Sequence, residues 1–141
     1  NIYMQLKRVV VTGLGALTPI GNNIEEYFFL DSSFPMIYQL VQIGEKNIAI
    51  RFSEFESLES VQLAAHMVSW IWIDCFENFP LTPDVYQKIK ELGLKICLVS
   101  PELQGHSVDR IKEFRKIILD NSFQIEAICT KYYNIDLWKS G

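Results

Sequence analysis

Short apolar runs alternate with helix-period segments along most of this chain. The clearest example is residues 70–105, where an apolar run ends on Asp74 and a second run covers residues 96–99. Between them, Thr82 is suited to cap an amphipathic helix and Gly93 to end it in the left-handed conformation. A strand–helix–strand unit of this length predicts two parallel strands, with the helix crossing one face of the sheet.

The same unit recurs before and after this stretch. The predicted strands are residues 8–12, 27–30, 47–52, 70–73, 96–99 and 125–130. The predicted helices are residues 35–43, 58–67 and 83–92, and a fourth helix follows Ser107. The apolar stripe of this fourth helix consists of Val108, Ile111, Phe114, Ile117 and Ile118. From residue 27 onward, strand ends recur every 21 to 31 residues, as in successive βα units. We expect an α/β protein with a parallel sheet of five to six strands, either a partial TIM barrel or an open flavodoxin-like layer.

Composition indicates one globular domain. The chain has 141 residues, of which 49% are hydrophobic and 21% charged, enough to bury a core without disulfides or metals. The net charge is −4 and the basic residues are scattered, so nucleic acid is not an expected partner. No apolar run approaches the length of a membrane span and no signal peptide is visible, which predicts a cytoplasmic protein.

The three cysteines fit that compartment. Cys75, Cys97 and Cys129 are odd in number and far apart, and two of them fall in or just after predicted buried strands. Reduced core cysteines are therefore expected. Neither a CxxC pair nor a zinc-type Cys/His spacing occurs in the sequence.

Polar residues follow the predicted strands, where parallel α/β proteins bind their ligands. The candidate metal ligands at this edge, for Mg²⁺ or Ca²⁺, are Asp31, Glu54, Asp74 and Glu102. The candidate catalytic residues are Lys131, which could hold a phosphate, and His106, as a ligand or acid/base group. Such a set would suit metal-assisted phosphoester chemistry. In the alternative interpretation, the carboxylates cap helices or face water and His106 is an ordinary turn residue. Asp74 fits that alternative least, because it follows the apolar run WIWI.

A nucleotide cofactor is not expected. Gly13 and Gly15 follow the first predicted strand, which resembles the start of a dinucleotide-binding loop. Thr18 occupies the third glycine position, however, and Pro19 and Gly21 interrupt the helix that would hold the pyrophosphate.

The first 27 residues contain a recognisable motif. Residues 4–27, MQLKRVVVTGLGALTPIGNNIEEY, resemble the amino terminus of bacterial β-ketoacyl-acyl-carrier-protein synthases. In that family this segment is the opening strand and turn of the core. The family's nucleophilic cysteine and two histidines lie far downstream in motifs that this chain lacks, so the resemblance carries over no catalytic residue. We therefore treat residues 1–26 as a strand and glycine turn of separate apparent origin within the domain.

The remainder resembles a different family. Residues 27–138, including FFLDSSFP and EAICTKYYN, are similar to the later strands of glycerophosphodiester phosphodiesterase-like TIM barrels. Asp31 stands where that family has a carboxylate, and Ser33 stands where it has a lysine. The family's early His-Arg-Gly and Glu-x-Asp elements, which supply acid/base groups and metal ligands, have no counterpart here.

These observations lead to three functional hypotheses. The first is a phosphodiesterase-like protein that lacks the full catalytic set and binds a metal or a small phosphate-containing ligand; if active, it would be a metal-dependent phosphoric diester hydrolase. The second is a non-catalytic fold fragment that forms homodimers through exposed sheet edges, because five or six βα units cannot close an eight-stranded barrel. The third is a part of a fatty-acid condensing enzyme.

Overall fold

The computed structural model describes residues 8–11 and 34–139, and for residues 8–11 and Phe34 it describes the backbone alone. The strands are β1 (Arg8–Val11), β2 (Ala49–Phe52), β3 (Trp70–Ile73), β4 (Lys95–Val99) and β5 (Ala127–Thr130). The helices are α1 (Phe34–Gln42), α2 (Leu58–Ala64), α3 (Pro83–Glu91), α4 (Arg110–Asp120) and α5 (Ile135–Lys139), with 3-10 turns at Ala65–Met67, Pro101–Gln104 and Tyr132–Asn134.

The strands form one sheet in the order β1-β5-β4-β3-β2, and every pair is parallel. The α/β class with a parallel sheet is therefore confirmed. Phe52 pairs with Ile73 and Val99 pairs with Cys129, so the carboxyl ends of neighbouring strands lie at one edge of the sheet. The predicted strand at residues 27–30 lies outside the described residues.

Side chains of the strands alternate between two faces of the sheet. The helix face packs against buried residues from all five described helices, and its strand members are Ile50, Phe52, Ile71, Ile73, Ile96, Leu98 and Ile128. The tryptophan face is a separate buried cluster, consisting of Ala49, Trp70, Trp72, Cys97, Val99, Ala127 and Cys129. Successive residues of each strand therefore lie alternately on the helix face and on the tryptophan face.

Local capping decides where the helices begin and end. Thr82 Oγ1 accepts a 3.2 Å hydrogen bond from the Val85 amide, and Gly93 has a φ of +76°, so both predicted ends of α3 are confirmed. Ser57 precedes α2 but its side chain makes no capping hydrogen bond. The prediction that Val108 belongs to the apolar stripe of α4 is wrong, because the chain makes a tight turn there and Val108 is 45% exposed.

The last described segment packs firmly against the core. Residues 132–134 form a 3-10 turn and α5 follows, with the Trp138 side chain fully buried. The cysteines at 75, 97 and 129 are free and buried, which confirms their prediction as core thiols. None of the helices in the described part of the chain is long and apolar enough to cross a membrane.

Candidate functional site

Four of the six candidate residues lie within three positions of the carboxyl end of a strand, as the sequence predicted. Glu54 follows β2, Asp74 follows β3, Glu102 lies in the 3-10 turn after β4, and Lys131 follows β5. Since the strands are parallel, all four belong to the carboxyl edge of the sheet. His106 lies just beyond the turn that holds Glu102. Asp31 lies outside the described residues.

Because side chains alternate along each strand, these residues are divided between the two faces of the sheet. Asp74 comes two positions after Trp72 and accepts a hydrogen bond from its indole, so Asp74 lies with the tryptophan face. Glu102 instead bonds to Thr130, which comes two positions after the helix-face residue Ile128. Two carboxylates that share an edge of the sheet thus belong to different environments.

Asp74 is a buried carboxylate whose oxygens accept hydrogen bonds from at least three donors. Its side chain is 4% exposed and receives hydrogen bonds from Arg51 Nε at 2.7 Å, Gln104 Nε2 at 2.8 Å and Trp72 Nε1 at 3.2 Å. Burying a carboxylate costs several kcal/mol unless charge and hydrogen bonds compensate, and here one guanidinium and two neutral donors do so. This geometry explains why an aspartate can follow an apolar strand.

Glu102 is the centre of a second network. Glu102 Oε1 accepts hydrogen bonds from Thr130 Oγ1 at 2.6 Å and Asn134 Nδ2 at 3.1 Å, and Glu102 Oε2 accepts one from the Ser100 hydroxyl. Ser100 Oγ in turn accepts a 2.8 Å hydrogen bond from Trp138 Nε1. The network joins the ends of β4 and β5 to the final helix, so the carboxylate of Glu102 has a structural role.

His106 connects two loops of this edge. Its Nε2 donates to the carbonyl oxygen of Phe76 at 2.6 Å, and its Nδ1 accepts from Arg110 Nη1 at 3.0 Å. A carbonyl can only accept and a guanidinium can only donate, so these partners fix the neutral tautomer with the proton on Nε2. Arg110 Nη1 also donates to the Glu77 carbonyl at 3.2 Å. Both ring nitrogens of His106 are therefore engaged in holding the loop after β3.

Glu54 and Cys75 lie close together on the helix-covered side. Glu54 Oε1 accepts a 2.6 Å hydrogen bond from the Glu77 amide, while Glu54 Oε2 is buried and has no hydrogen-bond partner among the described residues. Burial raises the pKa of the Cys75 thiol far above its ordinary range, and the negative charges of Glu54 and Asp74 raise it further. A thiol in this environment stays protonated, which argues against Cys75 as a nucleophile.

Lys131 differs from the other part-buried lysine of the described chain. Lys90 forms a 2.5 Å ion pair with Glu126, whereas Lys131 has no carboxylate within ion-pair distance among residues 34–139. Its backbone is extended (φ −76°, ψ 146°), which continues the alternation of β5 and directs its side chain to the face of Cys129. Lys131 is thus a half-buried cation at the carboxyl edge.

Aromatic side chains are exposed beside these groups. Tyr132 and Tyr133 follow Lys131 directly, are 72% and 66% exposed, and pack edge-to-face with ring centroids 5.3 Å apart. At the other end of the edge, Phe55 is 66% exposed and stacks on Phe76 at 5.9 Å. The Arg51 guanidinium lies 5.5 Å from the Phe76 ring centroid.

Within the described residues, no group of three or more His, Cys, Asp or Glu side chains is arranged to hold a metal ion. The division of the carboxylates between two faces is the physical reason. Sequence reasoning also missed Arg51 and Gln104, which come from other elements and donate hydrogen bonds to Asp74. A polar residue at position 51 of an otherwise apolar strand was the available signal for Arg51.

No family model matches the chain, and neither a curated protein nor a solved structure matches it. The resemblances to ketoacyl synthases and to phosphodiesterases therefore remain predictions.

Proposed function

We propose that this chain is a phosphodiesterase-like α/β domain that binds a small phosphate ester at the carboxyl edge of its sheet without hydrolysing it. The observation that carries the proposal is Lys131, a half-buried cation with no carboxylate within ion-pair distance in the described chain. A partly desolvated ammonium group gains most from an anionic ligand, and phosphate oxygens form strong charge-assisted hydrogen bonds with it.

The acid/base and carboxylate groups of this edge are engaged in other interactions. His106 is held at both ring nitrogens, and the carboxylates of Asp74 and Glu102 each accept at least three hydrogen bonds from described residues. A general acid or base needs a free position facing the substrate. Binding therefore fits these contacts better than hydrolysis does.

A resident Mg²⁺ or Ca²⁺ would need several carboxylate oxygens converging on one point. Glu54 and Glu102 belong to the helix-covered side and Asp74 to the tryptophan face, so these three do not form such a set. We assign phosphate binding to Lys131, and the test below includes Mg²⁺ or Ca²⁺.

Isothermal titration calorimetry with glycerol 1-phosphate and inorganic phosphate tests the proposal. Lys131→Gln removes the cation, and we expect affinity to fall about tenfold or more, as for loss of a charge-assisted hydrogen bond. Lys46→Gln, at an exposed lysine, is the matched control and should leave affinity unchanged. Equal affinities of the Lys131→Gln variant and the parent would refute the role of Lys131. Turnover of a 4-nitrophenyl phosphodiester with Mg²⁺ or Ca²⁺ would refute the absence of hydrolysis.

The arrangement of the sheet favours a second candidate, self-association. Strands β2, β3, β4 and β5 lie side by side in the same order as they occur in the sequence, and the described helices all pack on one face of the sheet. This arrangement is typical of the wall of a barrel, whereas a doubly wound sheet has helices on both faces. Five strands cannot close such a barrel, and β1 and β2 are the outermost strands of the described sheet. A homodimer joined through these edges would appear as doubled mass in sedimentation equilibrium, and a monomer at 100 μM would exclude it.

A further inference from the structure

We infer that His106 and Arg110 form a proton-controlled latch on residues 75–77, the loop that follows β3. The latch holds this loop while the His106 ring is neutral and releases it when the ring takes up a second proton. Lys131 takes no part in the latch, so its test is independent of phosphate binding.

Side chains from other elements hold the backbone of this loop at three consecutive polar groups. His106 Nε2 donates to the Phe76 carbonyl oxygen at 2.6 Å, and Arg110 Nη1 donates to the Glu77 carbonyl oxygen at 3.2 Å. The Glu77 amide between them donates to Glu54 Oε1 at 2.6 Å. All three holding side chains belong to ionisable residue types, so the position of the loop depends on their charge states.

The contact between His106 and Arg110 is made only by the neutral ring. Arg110 Nη1 donates to His106 Nδ1 at 3.0 Å, and a guanidinium has no acceptor atom. A proton on Nδ1 would place an N–H group and a positive charge against the guanidinium, so the doubly protonated ring cannot keep this contact. Protonation therefore removes one hydrogen bond and adds a repulsion between two cations.

A second partner for Arg110 is already in place. Arg110 Nε lies 3.2 Å from Glu113 Oε2, three positions further along α4. The Glu113 side chain is 65% exposed, so Arg110 can turn towards it and towards the solvent when the charged ring repels the guanidinium. This movement withdraws the arginine donor from the Glu77 carbonyl oxygen and loosens the loop.

Other charged groups lie around the loop and the ring. They are the cation Arg51, whose guanidinium is 5.5 Å from the Phe76 ring centroid, and the carboxylates Glu54, Asp74, Glu77, Asp109 and Glu113. A change from pH 7.5 to pH 5.5 acts mainly on histidine, because carboxylates ordinarily ionise below pH 5 and arginine stays charged. Burial raises the pKa of the Cys75 thiol far above this interval, so the thiol stays protonated. His106 is therefore the group through which acid acts on the loop.

Backbone order parameters of the Phe76 and Glu77 amides, measured in the ¹⁵N-labelled chain at several pH values, test the latch. We expect values of about 0.85 at pH 7.5, typical of ordered backbone, and values below about 0.6 at pH 5.5. The ring ¹⁵N shifts of His106 report the proton in the same samples, and Nδ1 should be bare at pH 7.5 and protonated at pH 5.5. Both changes should share one midpoint. Separate midpoints, or a loop that stays ordered at pH 5.5, would overturn the latch.

The chain contains two histidines, which provides a matched control. His106→Gln keeps a donor and an acceptor but does not titrate, so the loop should remain ordered at both pH values. His66→Gln, at the exposed histidine, should keep the full response of the parent protein. Arg110→Met removes the partner of the ring, and the order parameters should then be reduced at both pH values. Loss of order on acidification in His106→Gln, or the parent response in Arg110→Met, would show that another group controls the loop.

Discussion

Trp138 Nε1 donates a 2.8 Å hydrogen bond to Ser100 Oγ, which lies 38 residues earlier in the chain. This contact joins the last described helix to the end of β4. Through the Ser100 hydroxyl it continues to Glu102, which also holds Thr130 and Asn134. The carboxyl edge on this side is therefore a connected structural network, and Lys131 directly precedes the 3-10 turn that this network holds in place.

Substituting Trp138 tests the structural role of this network. We expect Trp138→Phe to lower the free energy of unfolding by about 1–3 kcal/mol, because Ser100 loses a buried donor. Chemical denaturation of Trp138→Phe, Ser100→Ala and the double variant should give a coupling energy of about 1 kcal/mol. Simple additivity of the two substitutions would show that the hydrogen bond contributes nothing.

Neutralising the buried carboxylate of Asp74 is expected to lower the free energy of unfolding more than neutralising most other acidic residues. Asp74→Asn replaces one acceptor oxygen by a donor opposite Arg51, Trp72 and Gln104, and we expect a loss of about 2–4 kcal/mol. Arg51 is half exposed, with 45% of its side chain accessible, which keeps this cost below that of a fully buried pair. The exposed Asp84→Asn in α3 is the control, with an expected loss of about 0.5 kcal/mol or less. Similar melting curves for both variants would contradict this account.

The two serine or threonine residues that precede α2 and α3 should respond differently to truncation. Thr82 makes its capping hydrogen bond, so Thr82→Ala should cost about 1 kcal/mol. Ser57 makes no capping bond from its side chain, so Ser57→Ala should cost less than about 0.5 kcal/mol. Urea denaturation of the two variants gives both values, and a larger loss at Ser57 would reverse the assignment.

The buried thiols predict that stability falls in alkaline solution. Burial raises the pKa of Cys75 and of Cys97 in the folded chain, whereas thiols in the unfolded chain ionise near pH 8.5. The contribution of the two thiols to the free energy of unfolding is therefore fully present below about pH 8.5. Above that pH, each thiol lowers the free energy of unfolding by up to about 1.4 kcal/mol per pH unit. Cys75→Ala should reduce the slope between pH 9 and 10 by about this amount. An unchanged slope would mean that Cys75 ionises equally in both states.

Most of the fold was predictable because it depends on local periodicity. The run WIWI, the Thr82 cap and Gly93 each specify their own conformation, and the parallel pairing of β3 with β4 follows from the helix between them. Val108 was misassigned because the preceding Ser107 forms a tight turn that delays the start of α4. An apolar residue next to a helix satisfies the same periodicity without belonging to the helix.

The site was predictable only to the level of the sheet edge. Sequence order placed Asp74 and Glu102 after neighbouring strands, but the face on which each side chain lies depends on its partners. Those partners come from distant positions, such as Arg51 for Asp74 and Thr130 for Glu102, and tertiary packing alone brings them together. The engagement of His106 by a carbonyl and a guanidinium likewise depends on how two loops meet.

Lys131 is proposed as the contact of this domain for an anionic ligand. The most direct test of this proposal is a titration of glycerol 1-phosphate into the ¹⁵N-labelled chain, followed by amide chemical shifts. We expect chemical-shift changes concentrated at residues 130–134, and we expect these changes to be lost in Lys131→Gln. Shifts centred on another part of the chain, or the same shifts in Lys131→Gln, would contradict it.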